Sequence, residues 1–348
     1  MMKTYIKNMK QILYFIIIGS IISSCSNKKE PDLSQAKSIE LQGEIIKSDS
    51  DIFIANTDYL QVLEDKIYIY NPIGDFGFIV YDPKNQTYEY LGRKGNGPKE
   101  GILYSPFITT SENELCCFDI SKNKFLYHKK DSPKVAYKEF EIKRPTKGLI
   151  IEAFNLKDSV CLVTGAFNTG TCALLKDGEI LKECIEPYTK TGEFINKAIK
   201  DANLFMLSND KEHLLRITQN GGFIGLYKVD IKNINITPLF EKEYFPVEVK
   251  AGNNTLHFTQ QARYGYISAC ITDKYIYGLY CGTKIYDQEF RSNQIHIYNY
   301  KGDLINNITL NTALSGIGVD NENKRIFGIT AEGEKELCMY IIPDDFLY

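Results

Sequence analysis

The chain repeats a unit six times. In each unit a polar turn rich in Asp, Asn or Lys leads into an apolar-aromatic strand, then a gap, then a second strand. The turns begin near Asp65, Asn113, Asp158, Asp210, Asp273 and Asn323, spaced 48, 45, 52, 63 and 50 residues apart. The strands after them include Lys66 to Tyr70, Leu115 to Phe118, Val160 to Val163, Leu214 to Ile217, Tyr275 to Tyr280 and Arg325 to Ile329. Second strands follow, such as Phe78 to Tyr81, Lys124 to Tyr127 and Ile295 to Tyr298, and turns at Asp177-Gly178 and Lys301-Gly302-Asp303 are hairpin signals. Repeats of about 40–50 residues, each several strands long, are the pattern of propeller blades. The prediction is therefore an all-β chain folded as a six-bladed β-propeller. A sandwich or two smaller β-domains is the alternative, which six units without a linker disfavour.

Composition agrees. The aromatics are 24 Tyr and 19 Phe with no Trp, residues suited to pleated, half-buried positions. The net charge of −3 comes from interspersed signs. No basic stripe is present to neutralise a phosphate backbone, so nucleic acid is not an expected partner.

Three segments stand outside the repeat. Ser38 to Ile46 alternates like a strand and precedes the first unit, while the last unit ends one strand short near Tyr348. The early segment is predicted to complete the final blade and cover its edge. Between the third and fourth units, apolar residues at Phe194, Ile195, Ala198, Ile199, Ala202 and Phe205 predict a short helix over Glu193 to Phe205. The long spacing before the fifth unit holds a polar excursion, Lys250 to Thr255, followed by Gln260, Gln261, Ala262, Arg263 and Tyr264. Insertions of this kind sit on a face of a ring and can carry function.

The first 25 residues have their own logic. Lys3, Lys7 and Lys10 precede an apolar run from Ile12 to Ile22, then Ser23-Ser24-Cys25. The run is short of the roughly 20 residues a membrane-spanning helix needs, and fits a signal-peptide core. Ile22-Ser23-Ser24-Cys25 resembles a bacterial lipobox, in which small residues admit the peptidase and the cysteine thiol receives lipid. The expected organisation is a signal peptide over 1–24, a polar tether over 25–37 starting at lipidated Cys25, and one propeller over 38–348 whose N-terminal strand closes the last blade. The expected address is the periplasmic face of an outer membrane, with the cell surface as alternative. An acidic cluster typical of surface-exported lipoproteins is replaced here by Lys28-Lys29.

Gly92-Arg93-Lys94-Gly95-Asn96-Gly97-Pro98-Lys99-Glu100 is similar to a Gly-Arg-x-Gly-x-Gly-Pro-x-Glu stretch that follows the first blade in TolB-like six-bladed β-propeller lipoproteins of Bacteroidetes. Lys99 stands where Gly is frequent and Gly101 where Phe is usual. The resemblance implies the propeller fold and an envelope location, and no established reaction.

Candidate ligand-binding residues are Arg93, Lys94 and Asn96 in this loop, and Gln260, Arg263 and Tyr264 in the insertion. The loop reads as a blade-to-blade turn whose glycines supply positive φ; the alternative is an anion nest formed by its glycine N–H groups. The spacing is not that of a nucleotide P-loop. Catalytic residues, metal ligands and cofactors are not predicted: His128, His213, His257 and His296 are far apart, no Cys-x-x-Cys occurs, and Asp320 to Asn323 lacks calcium-loop spacing. Eight cysteines remain after Cys25 and read as buried thiols. If Lys176 pairs with Glu179, Cys172 falls opposite Glu183 and Cys184 on the other sheet face, so a bond between them would need a bulge. Vicinal Cys116 and Cys117 point to opposite faces.

The functional expectation is a membrane-tethered binding or scaffold module that engages a protein or small ligand on one face. A metal-dependent hydrolase of the lactonase or arylesterase sort, using the axis, is the alternative, and a glycan-binding module a third. For the anchor, Cys25→Ala is expected to abolish acyl labelling and release the protein from the membrane fraction; labelling that persists would refute the site.

Overall fold

The computed structural model describes residues 30–46, 52–54, 58–143, 145, 148–157, 159–186, 203–251, 256–287 and 290–347, and every regular element among them is a strand. β1 (Lys37–Leu41) and β2 (Glu44–Ile45) precede the repeats. Blade 1 is the meander β3 (Leu60–Leu63), β4 (Lys66–Tyr70), β5 (Phe76–Asp82) and β6 (Thr87–Arg93). Blade 2 is β7 (Tyr104–Thr110), β8 (Glu114–Asp119), β9 (Lys124–Lys129) and β10 (Lys138–Glu141). Blade 3 is β11 (Leu149–Lys157), β12 (Val160–Ala166), β13 (Cys172–Lys176) and β14 (Glu179–Cys184). Blade 4 is β15 (Asn203–Leu207), β16 (His213–Thr218), β17 (Phe223–Asp230) and β18 (Asn235–Glu243). A hairpin, β19 (Val249–Ala251) and β20 (Leu256–Phe258), separates it from blade 5.

Blades 5 and 6 share a strand. Blade 5 is β21 (Tyr266–Ile271), β22 (Tyr275–Tyr280), β23 (Ser292–Asn299) and the first part of β24 (Leu304–Val319). The remainder of β24 pairs with β25 (Arg325–Thr330), which pairs with β26 (Leu337–Ile341) to make blade 6. The segment predicted as one closing strand enters as two. β1 adds parallel to β24, Ile39 opposite Ile308, and β2 pairs antiparallel with β26, Glu44 opposite Met339. The N-terminal segment thus spans the outer edges of two blades.

The inner strands are β3, β7, β11, β15, β21 and the end of β24, and β24 lies against β3 to bring the last blade to the first. The strand that follows each polar turn in the sequence is therefore the second of its blade, and the innermost strand comes before the turn. At Glu64-Asp65 both turn residues have positive φ, 47° and 67°, as a two-residue hairpin of the primed type requires. Middle strands are buried on both faces because each blade is sandwiched by its neighbours: β12 is buried at all seven positions. Outer strands face solvent, and β10 is exposed throughout. This gradient explains why the sequence shows apolar runs and little clean alternation.

The helix expected over Glu193 to Phe205 is corrected at its end. Asn203–Leu207 is β15, and Leu204 to Leu207 are all buried. A short, wholly buried apolar run has no periodicity that separates strand from helix. Residues 193–202 of that expectation lie outside the described residues.

Polar side chains stitch neighbouring blades together. The Gln61 amide donates to Ile108 O at 3.1 Å and accepts from Ile108 N at 3.0 Å, acting as an extra backbone unit between blades 1 and 2. Gln219 donates to Ile267 O at 3.1 Å, and Ile317 N donates to Ser268 Oγ at 3.2 Å. Closure needs glycine: a Cβ on Gly316 would lie 2.4 Å from Asp58 O, and one on Gly318 2.4 Å from Leu60 Cδ2. Gly316→Ala is expected to cost about 1–3 kcal/mol by forcing blade 6 away from blade 1. Thermal unfolding checks this, and an unchanged midpoint would refute the close approach.

Candidate functional site

Because blade 2 separates blades 1 and 3, their side chains meet only at the axis, and there a polar group assembles. Asp58 and Tyr59 lead into β3, Glu152 stands in β11, Ser315 in β24, and Lys335 precedes β26. All lie at or near the ends where the inner strands begin, or beside them, forming an axial mouth. The Tyr59 hydroxyl sits in the field of both the Glu152 and Asp58 carboxyls; burial first, then these charges, pushes its pKa up. Its ring packs edge-on against Phe107 at 5.9 Å, and Phe107 lies 6.1 Å from Phe154. Phe107, Phe154, Leu204, Met206, Tyr266 and Ala269, from four inner strands, belong to one apolar cluster below the mouth.

Glu152 is 6% exposed, and Thr164 Oγ1 donates to its Oε2 at 3.3 Å. Burial raises its pKa to about 8, opposed by that single hydrogen bond. Asp58 is also raised, by burial first, against a hydrogen bond with Ser315 and the charge of Lys335. Lys335 Nζ in turn donates to Ser315 Oγ at 3.3 Å. A protonated carboxyl at Glu152 can donate as well as accept, whereas Asp58 has a cation and a hydroxyl to hold it as an acceptor. Nothing in the sequence singled these residues out, because only the ring brings blades 1, 3 and 6 to one point.

The residues singled out from the sequence fall into two groups on opposite sides of the ring. Arg93, Lys94 and Asn96 link blades 1 and 2. The loop's donors are engaged internally: Lys94 N donates to Asp75 O at 2.7 Å, Gly95 N to Gly101 O at 2.9 Å, and Gly97 N to Glu100 Oε2 at 3.1 Å. Its carbonyls instead converge on a cation, with Lys122 Nζ donating to Glu100 O at 2.6 Å, Gly95 O at 3.1 Å and Gly97 O at 3.4 Å. Arg93 pairs with Glu100 at 3.4 Å, Lys94 Nζ donates to Asn71 O at 2.7 Å, and Asn96 is exposed. Gly92 and Gly101 leave room for the fully buried ring of Tyr104, whose hydroxyl donates to Arg93 O at 3.0 Å and accepts from Gly101 N at 3.1 Å.

Gln260, Arg263 and Tyr264 link blades 4 and 5. Gln260 is exposed. Arg263 lies over the Phe245 ring at 5.0 Å, donates to Gly282 O at 2.7 Å and pairs with Glu30, seven residues before β1. Glu30 also accepts from Tyr280, which stacks on His296 with ring centroids 4.6 Å apart. Tyr264 packs edge-on against Phe290 at 5.2 Å. Cys25 lies outside the described residues. Among the described residues no group of three or more His, Cys, Asp or Glu stands close enough to hold a metal ion, and no helix is long and apolar enough to cross a membrane.

A family model described as TolB-like 6-blade propeller-like matches residues 36–322. The chain belongs to this family. Its fold is shared by a putative exported protein of Bacteroides fragilis, 12% identical, covering 88% of this chain and 99% of that one at a TM-score of 0.56. A luciferin-regenerating enzyme is 10% identical, with 87% and 96% covered and a TM-score of 0.51. A member of the DUF4221 family from Bacteroides vulgatus is 9% identical, with 88% and 98% covered and a TM-score of 0.50. No curated protein matches the chain in sequence.

Glu152 gives a pH signature with a definite sign. The folded state keeps its proton up to pH about 8, while the unfolded state releases it near 4.5. Stability from this group is present below 4.5 and lost as pH rises through 8, on the order of 5 kcal/mol. His128 and His296, both held down to about 4 by burial, act oppositely: their contribution is present above 6.5 and lost as pH falls toward 4. Glu152→Gln is therefore expected to gain stability relative to the parent between pH 5 and 9, followed by thermal melts. A difference that stays flat across that range would show the carboxyl is not buried as an acid.

Proposed function

We propose that this TolB-like propeller is a non-catalytic binding module, tethered to the outer membrane through lipid on Cys25 and facing the periplasm, that takes a small polar ligand at its axial mouth. The observation that carries the reading is the pair of desolvated carboxyls, Asp58 and Glu152, brought from blades 1 and 3 to one tyrosine hydroxyl. Desolvated titratable groups of this kind cluster at functional sites. A neutral Glu152 and an acceptor at Asp58 complement a ligand bearing hydroxyl or amine groups, and the apolar cluster below gives the mouth a rigid floor. The basic start, short apolar run and lipobox-like Ile22 to Cys25 support the envelope address. So does the similar fold of a protein described as exported.

A thermal-shift screen of sugars, amines and amino acids against the mature protein tests the mouth. The double variant Asp58→Asn, Glu152→Gln serves as its control. A ligand that raises the midpoint of the parent and not of the variant is the expected result. One that stabilises both alike places recognition elsewhere on the ring.

A further inference from the structure

We propose that Cys172 and Cys184 form a redox modification site, closing to a cross-strand disulfide within blade 3. The hairpin turn at Asp177-Gly178 sets Lys176 opposite Glu179 and Leu175 opposite Ile180. The register then slips by one, so that Leu174 faces Lys182, Ala173 faces Glu183, and Cys172 faces Cys184 directly. The extra residue is Leu181, whose side chain turns outward and is 42% exposed. A bulge of this kind shifts every later residue of the strand to the other face. Without it Cys184 would point away from Cys172; with it both side chains share one face.

Directly opposed residues of an antiparallel pair have Cα atoms about 4.5–5.5 Å apart, inside the roughly 4.4–6.8 Å span that a disulfide bridges. The Cys172 side chain already reaches the Cys184 main chain, its Sγ donating to Cys184 O at 3.4 Å, and the two thiols lie near enough to shift each other's titration, Cys172 upward with its burial and Cys184 downward. Gly170 makes the approach possible, since a Cβ there would lie 2.5 Å from Cys184 O and 2.9 Å from Cys184 N. Both residues are buried in the structure, as free thiols. Vicinal Cys116 and Cys117, in contrast, occupy successive positions of β8 and face opposite ways.

The chemistry is exchange with a disulfide donor, a protein thiol oxidase or oxidised glutathione, while blade 3 is still open during folding. The Cys184 thiolate attacks one donor sulfur and expels the first donor thiol, leaving a mixed disulfide. Cys172, on losing its proton, attacks Cys184 Sγ and expels the second. Two electrons and two protons leave with the donor, which departs as two thiols.

The test uses the mature chain refolded in a glutathione redox buffer, and does not depend on what the axial mouth binds. Alkylation under denaturant followed by peptide mass mapping is expected to recover the peptides of Cys172 and Cys184 joined. Their combined mass should be lower by two hydrogens, with the other cysteines alkylated. The oxidised protein should melt several degrees above the reduced one, and Cys172→Ala should abolish that difference. Parent protein that folds in the oxidising buffer yet yields both residues fully alkylated would overturn the proposal, whatever the variant does.

Discussion

Burial of both faces of every sheet is the constraint on which the structure depends. A four-stranded meander with apolar residues on each side is insoluble alone, and stacking such units in a row leaves two greasy ends. Bending the row into a ring removes the ends, provided the last unit can approach the first. That approach happens at backbone distance, where β24 runs past β3 and glycines at 316 and 318 leave room for Asp58, Leu60 and Val62. Polar stitching by Gln61, Gln219 and Ser268 then sets the height of one blade against the next. Amides serve well there, because a side chain with both donor and acceptor satisfies a neighbouring backbone unit that no ladder reaches.

Much of this was legible in the residues. The polar turns and the apolar-aromatic runs after them predicted six blades and placed twelve of their strands. The innermost strands were harder. Leu60 to Leu63 and Asn203 to Leu207 are too short and too uniformly apolar to announce themselves, so the sequence units began one strand late within each blade. The same uniformity let Phe205 be read as the end of a helix when it lies in a strand. The bulge at Leu181 was invisible for a different reason: hairpin register can be counted from the turn, but an extra residue is revealed only by what the later positions face.

The axial mouth was not legible at all. Asp58, Glu152 and Ser315 are 94 and 163 residues apart in order, and each looks like an ordinary strand-end polar residue. Their chemistry arises because the ring collects them and the neighbouring aromatics exclude water. The Gly92 to Glu100 loop teaches the converse. Its glycines and basic residues look like an anion cradle in one dimension, yet in three the glycines yield space to Tyr104 and Glu100, and the carbonyls close around Lys122. The Gly92 to Glu100 loop is thus accounted for by packing between two blades.

The addition of β1 to β24 has a mechanical side. Five residues of β1 pair in parallel with Asn306 to Leu310 of a strand that itself runs from the rim of blade 5 to the centre of blade 6. Tension applied to the start of the chain along β1 loads those pairs side by side, in shear, instead of peeling them one after another. The load passes into the strand common to both blades, so the region that bears a tug at the amino end is also the seam of the ring.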